Sequence, residues 1–410
     1  MKIDSYVPDE DNFYDELFSS TGQVRTGLHE LVRGLEALGG EAVLSRQKAA
    51  EQALLAAGIT FTLRSESGDE DAERIFPFDV IPRAINANEW TTIERGIQQR
   101  LSALNHFLSD IYGDQKVIRD GILPRYLIDS CEGFLRPCIG LKPPRGIWCH
   151  ISGTDLVRDK NGEFLVLEDN VRCPSGVSYV LENRSILKRT FPRIFEKMSI
   201  RPVDDYPMRL LETLQFTAQH RIDDPQVVVL TPGRFNSAYF EHAFLAQQMG
   251  VELVQPDDLI VRDDFCYMRT TGGLERVDVI YRRVSDDYLD PKVFQPDSLL
   301  GVPGIMEVYM KGNVSLANAP GTGVADDKAI YAFVEKFIRY YLDEEPVLKN
   351  VPTWLCSEEK ERQYVLEHLD ELVVKATDGA GGYGMLIGPH ATPAEHADFA
   401  ERIKKNPRGY

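Results

Sequence analysis

The sequence predicts a mixed α/β chain with several domains, and three observations lead to that prediction. Its 410 residues are enough for two or three domains. Residues 15–58 and 93–112 carry apolar side chains at helical spacing, which predicts helices. Residues 227–230 and the apolar runs on either side of residue 160 are short and end in turn residues, which predicts strands.

Composition and charge restrict the classes of function. The net charge of −18 argues against a general binder of nucleic acid or of anionic membranes. No window approaches the roughly 18 apolar residues of a spanning helix. The six cysteines form no C-x-x-C pair, so we expect reduced thiols and a cytoplasmic location. The weaker alternative is a zinc site formed by three of these cysteines and one histidine: Cys131, Cys138, Cys149 and His150.

A β-hairpin is the clearest local prediction. Asn161-Gly162 stands between two apolar runs, which is a strong signal for a tight turn between antiparallel strands. We expect the strands at about 147–157 and 163–168. The second run ends in Glu168, Asp169 and Asn170, where turn residues would be more usual.

Residues 205–290 predict a separate α/β unit. A buried strand at 227–230 is followed by a loop, a helix at 238–249 that ends at Gly250, and a second strand at 251–254. Ligands of such sheets bind where the strands end in loops. A further strand at 277–284 carries Arg282 and Arg283.

Helices are also expected in the last part of the sequence. Residues 325–342 predict one helix. Thr392, Pro393 and Glu395 predict a capping box that opens a last helix, which runs to about residue 405.

The end of the hairpin has the side chains of a magnesium site. Glu168 and Asn170 are two residues apart, so they face the same side of a strand, and Asp155 on the partner strand could join them. Two carboxylates and a carboxamide oxygen suit Mg²⁺, with waters and phosphates completing the coordination. The alternative is a solvated, acidic strand end.

A glycine-rich stretch forms the second motif. Gly379, Gly381, Gly382 and Gly384 match G-x-G-x-x-G, but a dinucleotide fingerprint needs a helix directly afterwards. The residues that follow, MLIG and then a proline, predict a strand, which disfavours a nicotinamide oxidoreductase. The glycines therefore predict a hairpin loop whose N–H groups could cover phosphates, with Lys375 at the end of the preceding strand. A flexible hairpin with a surface lysine is the alternative.

Together these motifs resemble the ATP-grasp enzymes, in which a D-K lysine and a V-V-K lysine hold the phosphates under a glycine loop. Lys328 and Lys375 match those lysines, and the metal motif has the family's spacing. The metal motif precedes the glycine loop, so the chain looks like the circularly permuted ATP-grasp family (type 2), whose relatives include glutathionylspermidine synthase. Further stretches support the resemblance: FPFDVIPRAINANEW (76–90), HISGTDLVR (150–158), GRFNSAYFEHAFLA (233–246), DVIYRRVSDDYLDP (278–291) and GTGVADDK (321–328).

The resemblance implies a permuted ATP-grasp fold in four parts. These are a helical N-terminal region (1–74), a subdomain with the magnesium motif (75–200), a Rossmann-like substrate domain (201–310) and a subdomain with the glycine loop (311–410). In the family, a strand that binds adenine follows the last helix. The 410 residues stop at 406–410, where that strand would begin, so the resemblance implies that these residues lack part of the adenine site.

The resemblance also implies an activity, that of a carboxylate–amine ligase that uses ATP and Mg²⁺. A small-molecule or peptide carboxylate would form an acyl phosphate, and an amine acceptor would then give the amide; no nucleic acid or membrane partner is expected. Arg172, Arg282 and Arg283 are the candidates for binding the acyl phosphate or the carboxylate. The last two are neighbours on one strand and face opposite sides, so we expect only one of them to serve. An ATP-grasp kinase and a nucleotide-binding protein without ligase activity remain alternatives.

Overall fold

The structure is a computed structural model that describes residues 6–9, 12–63, 72–75, 77–218, 223–379 and 384–410. The strands are β1 (Phe18–Ser20), β2 (Gln23–Val24), β3 (Thr60–Leu63), β4 (Ala72–Ile75), β5 (Gly153–Arg158), β6 (Phe164–Asn170), β7 (Val227–Leu230), β8 (Glu252–Val254), β9 (Leu259–Arg262), β10 (Phe265–Thr270), β11 (Gly273–Val277), β12 (Val279–Arg282), β13 (Ser315–Ala317), β14 (Lys349–Asn350), β15 (Val373–Val374) and β16 (Leu386–Ile387).

The helices are α1 (His29–Leu38), α2 (Gly40–Ala56), α3 (Ala87–Ile111), α4 (Lys116–Arg119), α5 (Arg125–Asp129), α6 (Val177–Thr190), α7 (Pro192–Lys197), α8 (Tyr206–Phe216), α9 (Tyr239–Met249), α10 (Asp286–Leu289), α11 (Ile305–Met310), α12 (Lys328–Tyr331), α13 (Val334–Leu342), α14 (Glu359–Glu367) and α15 (Pro393–Lys405). Short 3₁₀ helices cover Arg136–Cys138, Pro144–Gly146, Pro256–Asp258, Thr322–Asp326, Gly388–His390 and Pro407–Gly409.

The chain forms two compact units, and each of them is discontinuous in sequence. The first comprises Met1–Thr91, Arg158–Glu163 and Ser175–Ser315, and the second comprises Thr92–Val157, Phe164–Pro174 and Leu316–Tyr410. The four-part division expected from the family resemblance stays a prediction.

The N-terminal part of the first unit is held together by an apolar core. Leu31, Leu35, Leu54, Ile186 and Phe191 come from α1, α2, α6 and the start of α7, and all are buried. The predicted helices in residues 15–58 are confirmed for α1 and α2. The prediction is wrong for residues 18–24, where β1 and β2 pair antiparallel. Gly22 turns the chain there with a φ of 72°, a conformation that favours glycine over other residues.

The predicted α/β unit is confirmed in the first unit. β7 pairs in parallel with both β8 and β12, and all four of its residues are buried. Such burial on both faces explains the continuous apolar run. Ser315 at the start of β13 donates its N–H to the carbonyl of Asp278 at 2.8 Å. β9, β10 and β11 form an additional antiparallel sheet that the sequence analysis does not predict.

The predicted stripe of α3 is the main apolar face of the second unit. Ile93, Leu104, Leu108 and Ile111 are all 2% exposed or less. The ring of Phe107 stacks on Phe337 of α13, with 4.5 Å between the centroids. The single helix expected over residues 325–342 is divided into α12 and α13 by Ala332 and Phe333, so that prediction is partly wrong.

The last 40 residues confirm two local predictions. β15 and β16 pair antiparallel, as expected for a glycine hairpin and not for a Rossmann turn. At the start of α15, the Thr392 hydroxyl accepts the N–H of Glu395 while the Glu395 carboxylate accepts the N–H of Thr392, which forms the predicted capping box.

Among the residues that the structure describes, no helix combines the length and the apolar character needed to cross a membrane.

Candidate functional site

The predicted metal-site residues lie on the hairpin formed by β5 and β6, which are neighbours in the sheet β14-β6-β5. Strand alternation separates the acids of β6, since the Asp169 side chain is fully buried while that of Glu168 is 24% exposed. Asp169 accepts hydrogen bonds from Arg100 Nε at 2.8 Å, and Arg100 Nη1 donates to Asn350 Oδ1 at 2.8 Å. Asp169 therefore anchors the strand, whereas Glu168 remains accessible.

The hairpin is shorter than expected at its first strand, because the residues before Gly153 hydrogen-bond to side chains. The N–H groups of Trp148 and Cys149 both donate to Asn105 Oδ1, at 2.9 and 3.0 Å. These donors are thereby unavailable to a strand ladder. The predicted strand from 147 is consequently wrong over 147–152.

Asn318 holds the two ends of the hairpin together, although no motif in the sequence predicts this role. Its Oδ1 accepts the N–H groups of His150 and Ile151 at 2.7 and 2.9 Å. Its Nδ2 donates to the carbonyls of Ile151 and Val171 at 2.6 and 2.8 Å. This amide uses its full hydrogen-bonding capacity at 2% exposure, so it fixes where β5 begins and β6 ends. The only available signal was an asparagine inside the apolar run LANA.

The carboxylates of Asp155 and Glu168 interact directly. Partial desolvation of its carboxyl group and the neighbouring Glu168 raise the pKa of Asp155 to about 6, even though Asp155 is exposed by surface area. Partial burial also acts to raise the pKa of Glu168, but the ammonium of Lys328, the contact with Asp155 and the ammonium of Lys375 outweigh it and lower that pKa. The pair thus concentrates negative charge between two lysines.

Lys328 connects the carboxylates to the glycine hairpin. Its Nζ lies 3.5 Å from Glu168 Oε2 and donates to the carbonyl of Gly379 at 2.7 Å. Asp327 caps the helix that begins at Lys328, since its Oδ1 accepts the N–H of Ala329 at 2.8 Å. The lysine is therefore positioned by a capped turn, and its predicted contact with ATP stays a prediction.

The segment at 407–409 connects two parts of this region by hydrogen bonds. It forms a 3₁₀ helix, and Arg408 Nη2 donates to Asp327 Oδ2 at 2.8 Å. The N–H of Thr377 donates to the carbonyl of Gly409 at 3.0 Å, while the Thr377 carbonyl accepts the N–H of Lys328 at 2.9 Å. These bonds tie the start of α12 to the strand that leads into the glycine loop.

The glycine hairpin provides the remaining predicted phosphate-binding residues. Lys375 follows β15 directly. Its ammonium helps to lower the pKa of Glu168 and partly opposes the rise in the pKa of Asp155. Gly379 and Gly384 are among the described residues, and Gly384 has a φ of 66°. Two further predicted residues, Gly381 and Gly382, lie outside the described residues.

The three predicted arginines lie in different surroundings. In the second unit the Arg172 side chain is 37% exposed, and its Nε is 3.9 Å from Asp326 Oδ2. In the first unit Arg282 is buried and pairs with Asp286 at 2.8 Å. Arg283 is also buried, and its Nη2 pairs with Glu241 Oε1 at 2.9 Å. The structure thus leaves Arg172 as the most accessible of the three.

The donor set of Asp155, Glu168 and Asn170 fits Mg²⁺ in its chemistry. It offers two carboxylates that already attract cationic groups, and the Asn170 side chain makes no hydrogen bond to a described residue. Within the described part of the chain, no group of three or more His, Cys, Asp or Glu residues could hold a metal. The zinc alternative therefore has no support, whereas a magnesium site with water and phosphate ligands needs fewer protein carboxylates.

The chain belongs to the family described as circularly permuted ATP-grasp type 2, whose sequence pattern matches residues 82–410. This match confirms the resemblance and the permuted ATP-grasp fold. An uncharacterised protein of Synechocystis sp. PCC 6803 is 58% identical over the whole chain, which covers 84% of that protein. Membership of this family supports a ligase-type role.

Two other similar proteins have names that refer to an activity or to a class of enzyme. A Frankia alni protein named "Putative glutamate--cysteine ligase 2-3" is 41% identical over 96% of this chain, but the match covers only 46% of that protein. The structure of a glutathione synthetase-like effector from Globodera pallida superposes with a TM-score of 0.54, covering 91% of this chain and 80% of that one. At 12% identity, this second similarity supports the fold alone.

Proposed function

We propose that the protein is an ATP-dependent carboxylate–amine ligase that forms an amide through an acyl phosphate, with chemistry similar to that of glutathionylspermidine synthase. Its substrates would be a small-molecule or peptide carboxylate and an amine acceptor. The name of the Frankia protein, a putative glutamate–cysteine ligase, agrees with this class. Because more than half of the Frankia protein lies outside the match, its particular substrates are not transferred.

One observation supports the proposal more than any other. Asp155, Glu168, Lys328 and Lys375, here called the acid–lysine cluster, come together at the glycine hairpin within one unit. Carboxylates for a hard cation beside ammonium groups for phosphates are the charges that a magnesium–nucleotide complex requires. The cluster is also accessible to water, as a ligand site must be.

Each residue of the site would have a separate role in binding magnesium–ATP. Asp155, Glu168 and Asn170 would hold Mg²⁺, which supplies charge neutralisation at the phosphates when bound. Lys328 and Lys375 would bind the phosphate oxygens, and backbone N–H groups of the loop that contains Gly379, Gly381, Gly382 and Gly384 would cover them.

Arg172 is the first candidate for binding the carboxylate or the acyl phosphate, because a guanidinium can bind both in a bidentate manner. The substrate carboxylate oxygen would attack the γ-phosphorus, the bond to the bridging oxygen of ADP would break, and the amine would then displace phosphate. Arg282 and Arg283 remain candidates, but their buried ion pairs in the described structure favour a structural role.

Hydroxylamine trapping tests the proposal even though the natural amine is unidentified, because hydroxylamine replaces that amine. The protein is incubated with Mg²⁺, ATP, a panel of amino acids and short peptides, and hydroxylamine, and both ADP and hydroxamate are measured. We expect hydroxamate in proportion to ADP for at least one carboxylate. Lys375→Met should remove the signal, whereas Lys360→Met, an exposed lysine of α14, should retain it.

Two results would contradict the proposal. ADP formation with a stable phosphorylated product and no hydroxamate would indicate a kinase. ATP binding without ADP formation for any carboxylate in the panel would indicate a nucleotide-binding protein without ligase activity.

A further inference from the structure

A cavity of about 580 Å³ lies within the first unit. One wall consists of residues 82–90, which belong to the stretch FPFDVIPRAINANEW and have no role in the proposed function. Other walls come from α6, α7 and residues 198–203. Its volume is within the range of about 300–1,000 Å³ that is usual for small-molecule sites.

The lining of this cavity is positively charged, in contrast to the chain as a whole. Five arginines and two glutamates line it, without lysine or aspartate, although the chain has a net charge of −18. A positive cleft on an acidic protein concentrates anions locally. The charge of the lining therefore favours an anionic ligand.

Three of the five arginines already have partners in the protein. Arg25 Nε donates to the carbonyl of Asp15 at 2.7 Å, and its guanidinium lies over the ring of Tyr14. Arg83 Nε donates to Glu16 Oε2 at 2.9 Å, and Arg158 forms ion pairs with Glu89 and Glu16. Arg158 also stacks on the ring of Tyr14, with its guanidinium carbon 4.0 Å from the centroid. These residues form the wall of the cavity and have little capacity for a ligand.

Arg184 and Arg201 differ from them. Neither forms an ion pair with a carboxylate among the described residues, and Arg184 Nη1 donates to the carbonyl of Arg201 at 2.8 Å. That bond holds the Arg184 side chain at the backbone of Arg201 and leaves the other N–H donors of Arg184 for a ligand. Beside them the cavity is apolar, with Phe195 and Met198 in the lining and Trp90 exposed by 42%.

We propose that this cavity binds a small carboxylic acid with an apolar or aromatic body. Its carboxylate would pair with Arg184 and Arg201, and its body would lie against Trp90. Arginine forks recognise carboxylates, and the apolar lining selects against small inorganic anions. All the residues involved belong to the first unit, so the inference does not depend on the acid–lysine cluster or on the proposed function.

A matched pair of probes tests the inference on the full chain without nucleotide. Binding of 4-phenylbutyrate and of 4-phenyl-1-butanol is measured by calorimetry and by tryptophan fluorescence. We expect the acid to bind at least about tenfold more tightly than the alcohol, because only the acid makes charge-assisted hydrogen bonds. The fluorescence change should disappear in Trp90→Phe.

Arginine variants then locate the carboxylate. Arg184→Gln and Arg201→Gln should each weaken the binding of the acid about tenfold and leave the affinity for the alcohol unchanged. The matched control is Arg269→Gln, which removes an exposed arginine of β10 outside the cavity. It should change neither the affinity for the acid nor that for the alcohol. Because Arg201 is itself exposed, its variant should fold normally.

The inference would be overturned if the acid and the alcohol bound equally well or if the acid did not bind. It would also be overturned if Arg269→Gln weakened the binding of the acid as much as the Arg184 and Arg201 variants do. A failure of this test would leave hydroxylamine trapping unaffected, since that assay depends on the second unit.

Discussion

Two charged clusters, one in each unit, contain similar side chains but differ in their exposure to water. In the first unit, Glu241 and Arg283 form a pair whose side chains are at most 2% exposed. Glu241 Oε2 also accepts hydrogen bonds from Gly176 N, Ser178 N and Ser178 Oγ, at 2.7, 3.1 and 2.9 Å. This buried pair is surrounded by donors of the protein itself.

The acid–lysine cluster of the second unit is different. The side chains of Glu168 and Lys328 are 24% and 21% exposed, and their charged atoms are 3.5 Å apart, which is long for an ion pair. Partial desolvation and the adjacent Glu168 carboxylate together raise the pKa of Asp155. A buried ion pair whose charged atoms are all paired within the protein is structural. Exposed charged groups, with two like charges in contact, indicate instead a site that binds a ligand.

The largest effect is expected from breaking the buried pair. Glu241→Gln leaves Arg283 without its anion in a dry environment and weakens three hydrogen bonds at the start of α6. We expect a loss of about 3–5 kcal/mol in the free energy of unfolding. Urea unfolding measures it, and Glu212→Gln, which removes a partner of a surface ion pair, should cost less than about 1 kcal/mol. Equal losses in the two variants would contradict the distinction.

The two neighbouring acids of β6 sharpen the comparison within one strand. Asp169→Asn leaves the buried Arg100 unneutralised, and we expect a loss of about 3 kcal/mol or more in stability. Glu168→Gln should change stability by less than about 1 kcal/mol, because the group is partly solvated. Thermal and urea unfolding of the two variants provide the measurement. A larger loss for Glu168→Gln would mean that the acid–lysine cluster is structural.

The hairpin clamp should give an intermediate effect. Asn318→Ala removes the acceptor for two N–H groups and the donor for two carbonyls, all at the ends of β5 and β6. We expect a loss of about 2–3 kcal/mol in stability, together with weaker binding of magnesium–ATP. Unchanged nucleotide affinity in a folded variant would show that the clamp does not position Asp155 and Glu168.

The smallest effect, taken per pH unit, is the pH dependence of stability that His242 causes beside the buried pair. His242 donates to or accepts from Thr231 Oγ1 at 2.8 Å, and burial together with Arg283 lowers its pKa to about 3. An unfolded histidine titrates near 6.5. Between about pH 6.5 and 3 the unfolded state binds the extra proton, so stability falls as the pH falls, by at most about 1.4 kcal/mol per unit.

His242→Gln should remove this contribution. We expect a flatter dependence of unfolding free energy on pH between 6.5 and 5 than in the unaltered protein. An unchanged slope would mean that other groups cause the acid sensitivity.

Local features of the fold were predictable from the sequence, because neighbouring residues determine them. The turn at Asn161-Gly162, the buried strand β7, the stripe of α3 and the capping box at Thr392 all depend on spacing within one element. The strands β9–β11 could not be predicted with the same means, since their pairing partners and not their own pattern stabilise them.

The residue types of the candidate site were predictable from the sequence, but the residues that hold them in position were not. The carboxylates and lysines have a recognisable spacing, and the structure brings Asp155, Glu168, Lys328 and Lys375 together. Asn318 and Arg100 act on residues that are far away in the sequence, at separations of 167 and 69 residues. The burial of Arg282 and Arg283 likewise depends on tertiary packing, which strand alternation alone does not determine.

Calorimetric titration with ATP in the presence and absence of Mg²⁺ tests the central claim most directly. The unaltered chain is compared with Glu168→Gln and Lys375→Met, and with two exposed controls from α14, Glu359→Gln and Lys360→Met. We predict binding that requires Mg²⁺, is weakened at least about tenfold by the first two substitutions, and is unchanged by the controls. Mg²⁺-independent binding, or equal affinity in all five proteins, would contradict the claim that the acid–lysine cluster binds magnesium–ATP.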